Sequence, residues 1–594
     1  MKILLVAVNS KYTHMNPALY SIRAFAGDAG RCMEIAEYTI NQQPFEVLRD
    51  IYEKHPDVIG FSCYIWNMRF IGQLLEDIKK IMPETLILLG GPEAAFDAEG
   101  AMERHASVDG IFTGEGEQAW KELAERLNES ENKDPKDIGE IPGILMRGAK
   151  ISETGLKETE MDDIRFIFDD LSQFDNRMIY YETSRGCPFR CSYCLSSLEK
   201  KMRFRSLDIV YPELQHFLDK KVRIVKFTDR TFNTNKAHAM GIWKYLAEHD
   251  NGVTRFHFEI EADLISDEEL EFLSTVRSGL FQFEVGVQSL NQETLAAVNR
   301  YADLKRIESV VRQLKKYGNI PVHVDLIAGL PFENLDSFRN SFNGVYGWGA
   351  DELQLGFLKV LKGTEIEKRA EEFALVYESA PPYEVLSTKW MSFDDLLHLK
   401  SVEEQLERYG NSGAFLFTLH EFEKYFADPF AMYEYIASYY KEHRTRFHKQ
   451  SRMSAYSMLR EIIEQRLSDL KEAFEGFDLD HAGIQHFDAL LLIDLYAREK
   501  LKVRPDFIPG GSIQKKLERE YVKEKNIKDN VHIEFFDFDV SAFIEDGTID
   551  SEKENSVMVT FTYDGQGGAV RIETEKQGGV SKVLERHVHY DIAG

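Results

Sequence analysis

The sequence predicts an α/β chain: a Rossmann-like parallel-sheet domain, a partial (β/α)6 TIM-like barrel, then a mainly helical domain with a small β piece. Three observations carry this. Short apolar runs alternate with helical patterns over residues 1–150. Six strand-like runs separated by helical segments occupy 175–380, several of them with clear two-residue alternation. After Pro381-Pro382 the pattern turns to helical spacing and ends in a few strand-like runs.

In the first domain the expected strands are Lys2–Val8, Asp57–Tyr64, Thr85–Leu89 and Asp109–Thr113. Helices are expected from Asn16, with Pro17 in the first turn, from the segment after Tyr64 to Met82, and from Gln118 to about Leu127. Such βα alternation predicts a parallel sheet covered on both faces, with ligands outside the carboxyl ends of its strands. Those ends carry Asn9–Tyr12, Ser62–Asn67, Gly90–Glu93 and Gly114–Glu117. No Gly-x-Gly-x-x-Gly follows the first strand, so a dinucleotide site has little support. A polar loop over 128–137 and a small hairpin (Ile144–Leu145 with Lys150–Ile151) precede a linker, 151–174.

The barrel strands are expected at Met178–Thr183, Val222–Thr228, Arg255–Glu261, Leu280–Gln288, Pro321–Ile327 and Glu352–Lys359. Apolar residues alternate there with His257, Glu259 and Glu261, with Gln282, Glu284 and Gln288, and with His323 and Asp325. An unpaired buried charge is costly, so repeated acids on one face point to a barrel that encloses a polar ligand. The domain from 381 to 594 is expected to hold helices over Phe393–Tyr409, Asp428–Lys441, Met453–Phe474 and Phe487–Lys500. Strands are expected after the Pro509-Gly510-Gly511 turn, at Val531–Val540, Ser556–Tyr563 and Val570–Glu575.

Bulk charge narrows the partners. Acidic residues outnumber basic ones, 100 to 72, for a net charge of −28. That is a poor match to nucleic acid, which normally wants a basic face. The apolar start, Met1–Val8, is too short to span a membrane and lacks a signal-peptide cleavage pattern. No later run approaches the ~20 apolar residues of a membrane helix. With five cysteines in the chain, three of them clustered, a reducing cytoplasm is the expected location.

Those three, Cys187, Cys191 and Cys194, stand at Cys-x3-Cys-x2-Cys spacing in Thr183-Ser-Arg-Gly-Cys-Pro-Phe-Arg-Cys-Ser-Tyr-Cys194. Three thiolates on one short loop suit an iron–sulfur cluster with one iron left open. A structural zinc site closes with four ligands, and the nearest histidine, His216, lies beyond the usual local spacing. A disulfide leaves an odd thiol. Cys32 and Cys63 read as buried apolar residues of the first domain.

The cysteine spacing, with Tyr193 before the third cysteine, resembles the signature of the radical S-adenosylmethionine (SAM) enzymes. Phe227–Asn233, Phe283–Ser289 and Asp325–Pro331 resemble the corresponding strand-end segments of that family. The first domain, with Gly90-Gly91-Pro92 and Gly114-Glu-Gly-Glu117, looks like the cobalamin-binding domain of one large branch. The last third resembles an uncharacterised domain appended to some members. The resemblance implies a [4Fe–4S] cluster on Cys187, Cys191 and Cys194, and SAM near Tyr193, Asp229, Glu259, Glu284 and Gln288, with Glu261 and Arg230 as further candidates. A Gly-Gly-Glu triplet common in the family is replaced by Thr228-Asp229-Arg230. Cobalamin is expected at Asn9, Tyr12, Ser62, Trp66, Gly90, Gly91, Pro92, Gly114, Glu115 and Gly116. The first 150 residues contain no Asp-x-His-x-x-Gly, so no histidine ligand to cobalt is expected.

As activity, the resemblance implies methylation of an unactivated carbon by methylcobalamin and a 5′-deoxyadenosyl radical. A non-methylating rearrangement or cyclisation, and a non-catalytic iron–sulfur or cobalamin sensor, are the alternatives. The expected partners are SAM, a substrate, and an external electron donor such as a flavodoxin or ferredoxin.

Overall fold

The computed structural model describes residues 1–129, 140–148, 158–199, 201–443, 452–473 and 483–498. Beyond these it describes 500–501, 505, 519, 522–523, 530–536, 557–563, 569–576 and 579–587. It divides into two compact units, Met1–Leu397 and His398–Gly594.

The first unit contains two main sheets, the first parallel except for its last strand and the second parallel throughout. One is built from β1 (Ile3–Asn9), β2 (Met33–Thr39), β3 (Val58–Ser62), β4 (Leu86–Gly90), β5 (Gly110–Phe112) and β6 (Ile144–Met146), in the order β2-β1-β3-β4-β5-β6. Its strands are near-continuous apolar runs because both faces are covered. Leu4, Val6, Val8, Ile59 and Phe61 pack with the helices Pro44–Glu53 and Met68–Ile81. Ile3, Leu5, Ala7 and Val58 pack with Pro17–Phe25 and Gly116–Glu129 on the other face. Gly60 is required here: a Cβ would lie 2.4 Å from the Trp120 ring. The strand order reverses direction between β1 and β3, the point where such sheets open a crevice.

Two details depart from the expectation. β2 was not expected, since its mixed sequence MEIAEYT lacks an apolar run; as an edge strand it needs only one well-covered side. Ile144–Met146 pairs antiparallel with β5, a partner the sequence reading did not name. The loop at 130–137, the Lys150–Ile151 arm and the 509–511 turn lie outside the described residues. Cys63 is buried, but Cys32 is only half-buried, its thiol donating to the Ala29 carbonyl.

The second sheet is built from β7 (Ile179–Tyr181) and, beyond the short pair β8 (Ser184–Arg185) and β9 (Arg203–Phe204), from β10 (Ile224–Phe227), β11 (Arg255–Ile260), β12 (Phe281–Gln288), β13 (Val322–Ala328) and β14 (Glu352–Phe357). Its six strands are all parallel, in the order β14-β13-β12-β11-β10-β7, an open partial barrel. Alternation sorts the side chains. Phe256, Phe258, Phe281, Phe283, Val285, Val322 and Val324 are fully buried on one face, under Trp243 of the helix Lys236–Glu248. Lys226, His257, Glu259, Gln282, Glu284, His323 and Asp325 share the other. The chain then forms the β15 (Val376–Tyr377) and β16 (Val385–Ser387) ribbon before leaving this unit.

The second unit is mainly helical: Leu416–Glu423, Pro429–Glu442, Arg452–Ala473 and Ile484–Tyr496. The last of these is its central element, with every residue from His486 to Tyr496 buried. Its Asp494 accepts from the Phe417 and Thr418 amides at 3.1 and 2.9 Å, satisfying free donors at the start of Leu416–Glu423. An antiparallel sheet of β17 (Val531–Phe536), β18 (Val557–Tyr563), β19 (Ala569–Lys576) and β20 (Gly579–His587) follows, the last strand not anticipated. No helix among the described residues is long and apolar enough to cross a membrane.

Glu333, fully buried after β13, fastens the barrel at one end. Ser289 and Ser341 hydroxyls donate to it at 2.6 and 3.0 Å. Burial pushes its carboxyl up to about 7, although both serines pull the other way. A raised carboxyl adds stability that is complete below the ordinary carboxylate range and lost as pH rises through about 7. Unfolding of the first unit is therefore expected to become easier from about pH 5 to 8. Glu333→Gln should flatten that slope in denaturant titrations at several pH values.

Candidate active site

The cysteine loop starts at the carboxyl end of β7, and buried hydrogen bonds hold its first residues. Asp229, just past β10, accepts from the Thr183 amide (3.1 Å), the Thr183 hydroxyl (2.7 Å) and the Ser184 hydroxyl (2.6 Å). Burial raises its carboxyl to about 6, against those hydrogen bonds. His238 meets the same Thr183 hydroxyl at 3.2 Å, and burial lowers its imidazole to about 4, so it is neutral near pH 7. β8 pairs with β9, and the Cys187 amide donates to the Glu199 carbonyl at 3.0 Å. Gly186 sits at φ +92°, where a Cβ would lie 2.3 Å from the Lys201 carbonyl oxygen. All three loop cysteines are free thiols; Cys187 and Cys191 are buried and Cys194 is half-buried. The Thr231 hydroxyl lies 3.6 Å from the Cys187 sulfur. Arg300 points a guanidinium nitrogen at the Cys191 sulfur from 3.9 Å and binds Glu261 at 3.0 Å. It also donates to the Gly286 carbonyl, tying the loop to β11 and β12.

The polar face of the barrel is a connected network. Lys226 lies 3.2 Å from Glu284 and 3.7 Å from Glu259, and His257 lies 3.1 Å from Glu284. Burial opposes ionisation of Glu284, but His257 and Lys226 outweigh it and hold its carboxyl at about 2. Glu259 and Asp325 are both raised, first by burial. The Asp325 Oδ1 and Gln288 Oε1 atoms are buried without a hydrogen-bond partner. Gln288 adopts φ +72° at a bulge in β12, a strained position for a residue with a side chain.

A cavity of about 420 Å³ lies between the carboxyl ends of the two sheets. One wall is Ser62, Tyr64, Gly90, Gly91 and 114–117; the other is Tyr180–Glu182, Ser184–Gly186, Thr228 and Arg230. Gly91 has φ +93°, and a Cβ there would lie 2.6 Å from the Cys63 carbonyl oxygen. The walls are joined by buried charges. Arg185 binds Glu117 at 2.7 Å and Glu182 at 2.9 Å, Arg203 pairs with Glu115, and Arg177 pairs with Glu37. Burial resists ionisation of Glu115 and Glu117, but the arginines prevail and keep both carboxyls below the usual range.

Of the residues expected at cobalamin, Ser62, Gly90, Gly91, Gly114, Glu115 and Gly116 line this cavity. Asn9, Tyr12, Trp66 and Pro92 do not. Asn9 is turned to Glu37 and the His14 carbonyl. Tyr12 lies exposed beside Arg177, and Trp66 stacks on Tyr64 at 4.3 Å. Of those expected at SAM, Glu259, Glu284 and Gln288 stand on the polar barrel face, and Tyr193 approaches the Cys191 sulfur. The Asp229 carboxylate is committed to Thr183 and Ser184, while Arg230 lines the cavity. Sequence reasoning missed Arg185, Glu117, Glu182, Lys226 and Arg300 as participants. Arg185 and Glu117 stood inside quoted motifs, whereas nothing local marks Arg300, whose partners lie on distant strands.

Asp229→Ala would leave the Thr183 amide and the Ser184 hydroxyl unsatisfied next to the cysteines, with only His238 left to the Thr183 hydroxyl. Supporting residues of this kind typically change metal-site affinity roughly 10–100-fold. The variant is expected to keep its fold but lose iron in that range, measured as iron per chain after anaerobic reconstitution and desalting.

Residues 181–343 match the family described as the Radical SAM superfamily, 3–124 the B12 binding domain, and 371–561 a protein family of unknown function, DUF4080. The cobalamin-dependent radical SAM methyltransferase TokK of Streptomyces tokunonensis is 27% identical over 331 residues, 50% of this chain and 46% of that protein. The anaerobic magnesium-protoporphyrin IX monomethyl ester cyclase of Rubrivivax gelatinosus is 21% identical over 318 residues, 52% of this chain and 57% of that protein. This chain thus spans about half the length of the curated relatives it matches. The methyltransferase TsrM of Kitasatospora setae, solved with cobalamin and a [4Fe–4S] cluster, shares the fold. Its TM-score is 0.53 at 18% identity, covering 65% of this chain and 82% of that one. The radical SAM domain implies a [4Fe–4S] cluster and SAM, and the B12-binding domain implies cobalamin. Three free thiols on one loop fit the cluster. The unpartnered Gln288 and Asp325 oxygens fit a polar ligand in the barrel, and a wall of glycines fits close backbone approach to a bulky cofactor. In chain order, then, residues 3–124 match a B12-binding domain, 181–343 a radical SAM domain and 371–561 a DUF4080 domain.

Proposed function

We propose that the protein is a cobalamin-dependent radical SAM methyltransferase that methylates an unactivated carbon. One observation carries the reading: the cavity shared by the two sheets reaches Ser184–Gly186, immediately before Cys187. A substrate there touches both the cobalamin side and the radical-generating side. When bound, the cluster and SAM supply a 5′-deoxyadenosyl radical, and cobalamin carries the methyl group.

In this reading Cys187, Cys191 and Cys194 hold the cluster. Tyr193, Glu259, Glu284 and Gln288 surround SAM, with Lys226 keeping the Glu284 charge balanced. Asp229 acts one step removed, by fixing the loop through Thr183 and Ser184. Ser62, Gly90, Gly91 and the 114–116 loop face cobalamin. Tyr180 and Arg230 border the space left for substrate. The protein works in the cytoplasm with an external electron donor such as a flavodoxin or ferredoxin.

The cyclase relative favours a second reading, a rearrangement or cyclisation with the same cofactors. SAM with an isotopic label in its methyl group separates the two. Under the first reading an extract-derived product gains label only when cobalamin is present; 5′-deoxyadenosine formation with an unlabelled product supports the second. Cys191→Ala should reduce 5′-deoxyadenosine formation to background under both. Absence of 5′-deoxyadenosine formation in the unaltered, reconstituted protein would sink both readings and leave a sensor role.

A further inference from the structure

Arg185 occupies a position that neither cofactor site requires by itself. It lies two residues before Cys187, on the short strand β8, and is largely buried. Three carboxylates surround its guanidinium. Nη2 donates to Glu117 at 2.7 Å, Nη1 approaches Glu115 at 3.3 Å, and Nε donates to Glu182 at 2.9 Å. Glu115 and Glu117 belong to the B12-binding domain and Glu182 to the barrel. The neighbouring Arg203, paired with Arg185 across β8 and β9, takes the other side of Glu115. Buried Glu117 and half-buried Glu115 and Glu182 are balanced by two arginines only while the two domains are docked.

Both ends of this network border a cofactor position. The 114–117 loop forms one wall of the shared cavity, and Ser184–Gly186 form part of the other. Little slack separates Arg185 from the cysteines. Gly186 is pressed against the Lys201 carbonyl, and the Cys187 amide is bonded to the Glu199 carbonyl. A displacement of the 114–117 loop must therefore move the cysteine loop or break a buried ion pair, which is costly.

We propose that Arg185 is a positioning residue that couples the two sites: cobalamin held by the 114–117 loop orders the cysteine loop, and an assembled cluster tightens cobalamin binding. The proposal rests on the two-cofactor reading but not on methyl transfer. Coupling between sites is reciprocal, so either direction can be measured.

The full chain is titrated with hydroxocobalamin, by absorbance, with and without the reconstituted cluster. In the unaltered protein the cluster is expected to tighten binding about 5-fold or more, the low end of typical couplings. Arg185→Gln and Glu117→Gln should each bring that ratio to about 1, with circular dichroism confirming the fold. Electron paramagnetic resonance gives the reverse direction: hydroxocobalamin should alter the reduced cluster's spectrum in the unaltered protein and in neither variant. If Arg185→Gln does not fold, Arg185→Lys replaces it, keeping the charge while losing the planar fork, and must also lower the ratio. A ratio near 1 in the unaltered protein, or an undiminished ratio in the folded variants, overturns the coupling. Failure of the unaltered protein to take up hydroxocobalamin overturns the cofactor reading with it, whereas absence of methyl transfer in a coupled protein overturns only the methyltransferase reading.

Discussion

The geometry of this protein depends on keeping a seam of charges ionised away from bulk water. Glu37 with Arg177, Glu115 with Arg203, and Glu117 with Arg185 cross between the Rossmann-like sheet and the barrel. Such pairs add little net stability compared with apolar packing, yet removing one partner typically costs about 3–5 kcal/mol, because the other charge is left stranded. Their value lies in register. Two parallel sheets could slide past each other on apolar contacts, whereas fork-shaped guanidinium–carboxylate contacts fix direction as well as distance. The cavity exists because the carboxyl ends of both sheets are held face to face.

The barrel solves a related problem with a different charge pattern. Its polar face sets Glu259, Glu284 and Asp325 among Lys226, His257 and His323, and the surroundings shift the acids in opposite directions. Glu284 is held ionised by His257 and Lys226, while burial raises Glu259 and Asp325. One face of each strand is committed to the aromatic core around Trp243 and Phe258, so alternation leaves the opposite face for this network. Packing and chemistry are thus two outcomes of one period-two pattern.

Much of the fold was legible along the chain because its signals are local. The runs Lys2–Val8, Arg255–Glu261 and Leu280–Gln288 declare buried or half-buried strands by composition and alternation, and each lies within a residue or two of the observed element. β2 escaped because an edge strand does not need an apolar run. The pairing of Ile144–Met146 with β5 was not foreseen because a strand's sequence does not name its partner. The candidate site divides in the same way. The cysteine spacing and the glycine-rich strand ends are contiguous motifs. The carboxylates were harder to assign: Asp229 turns inward to Thr183 and Ser184, and Glu115 pairs with Arg203 while also lining the cavity.

The sequence by itself determined the strands and helices, the three thiols on one loop, and the polar and apolar faces of the barrel. These follow from spacing over a few residues, where backbone geometry leaves little choice. Only the tertiary structure decided which charges meet. Arg300 reaches Cys191 across 109 positions, and Arg185 reaches Glu117 across 68. A guanidinium can satisfy any carboxylate that packing brings within about 3 Å, so its partner is set by the docking of whole domains and not by the residues beside it.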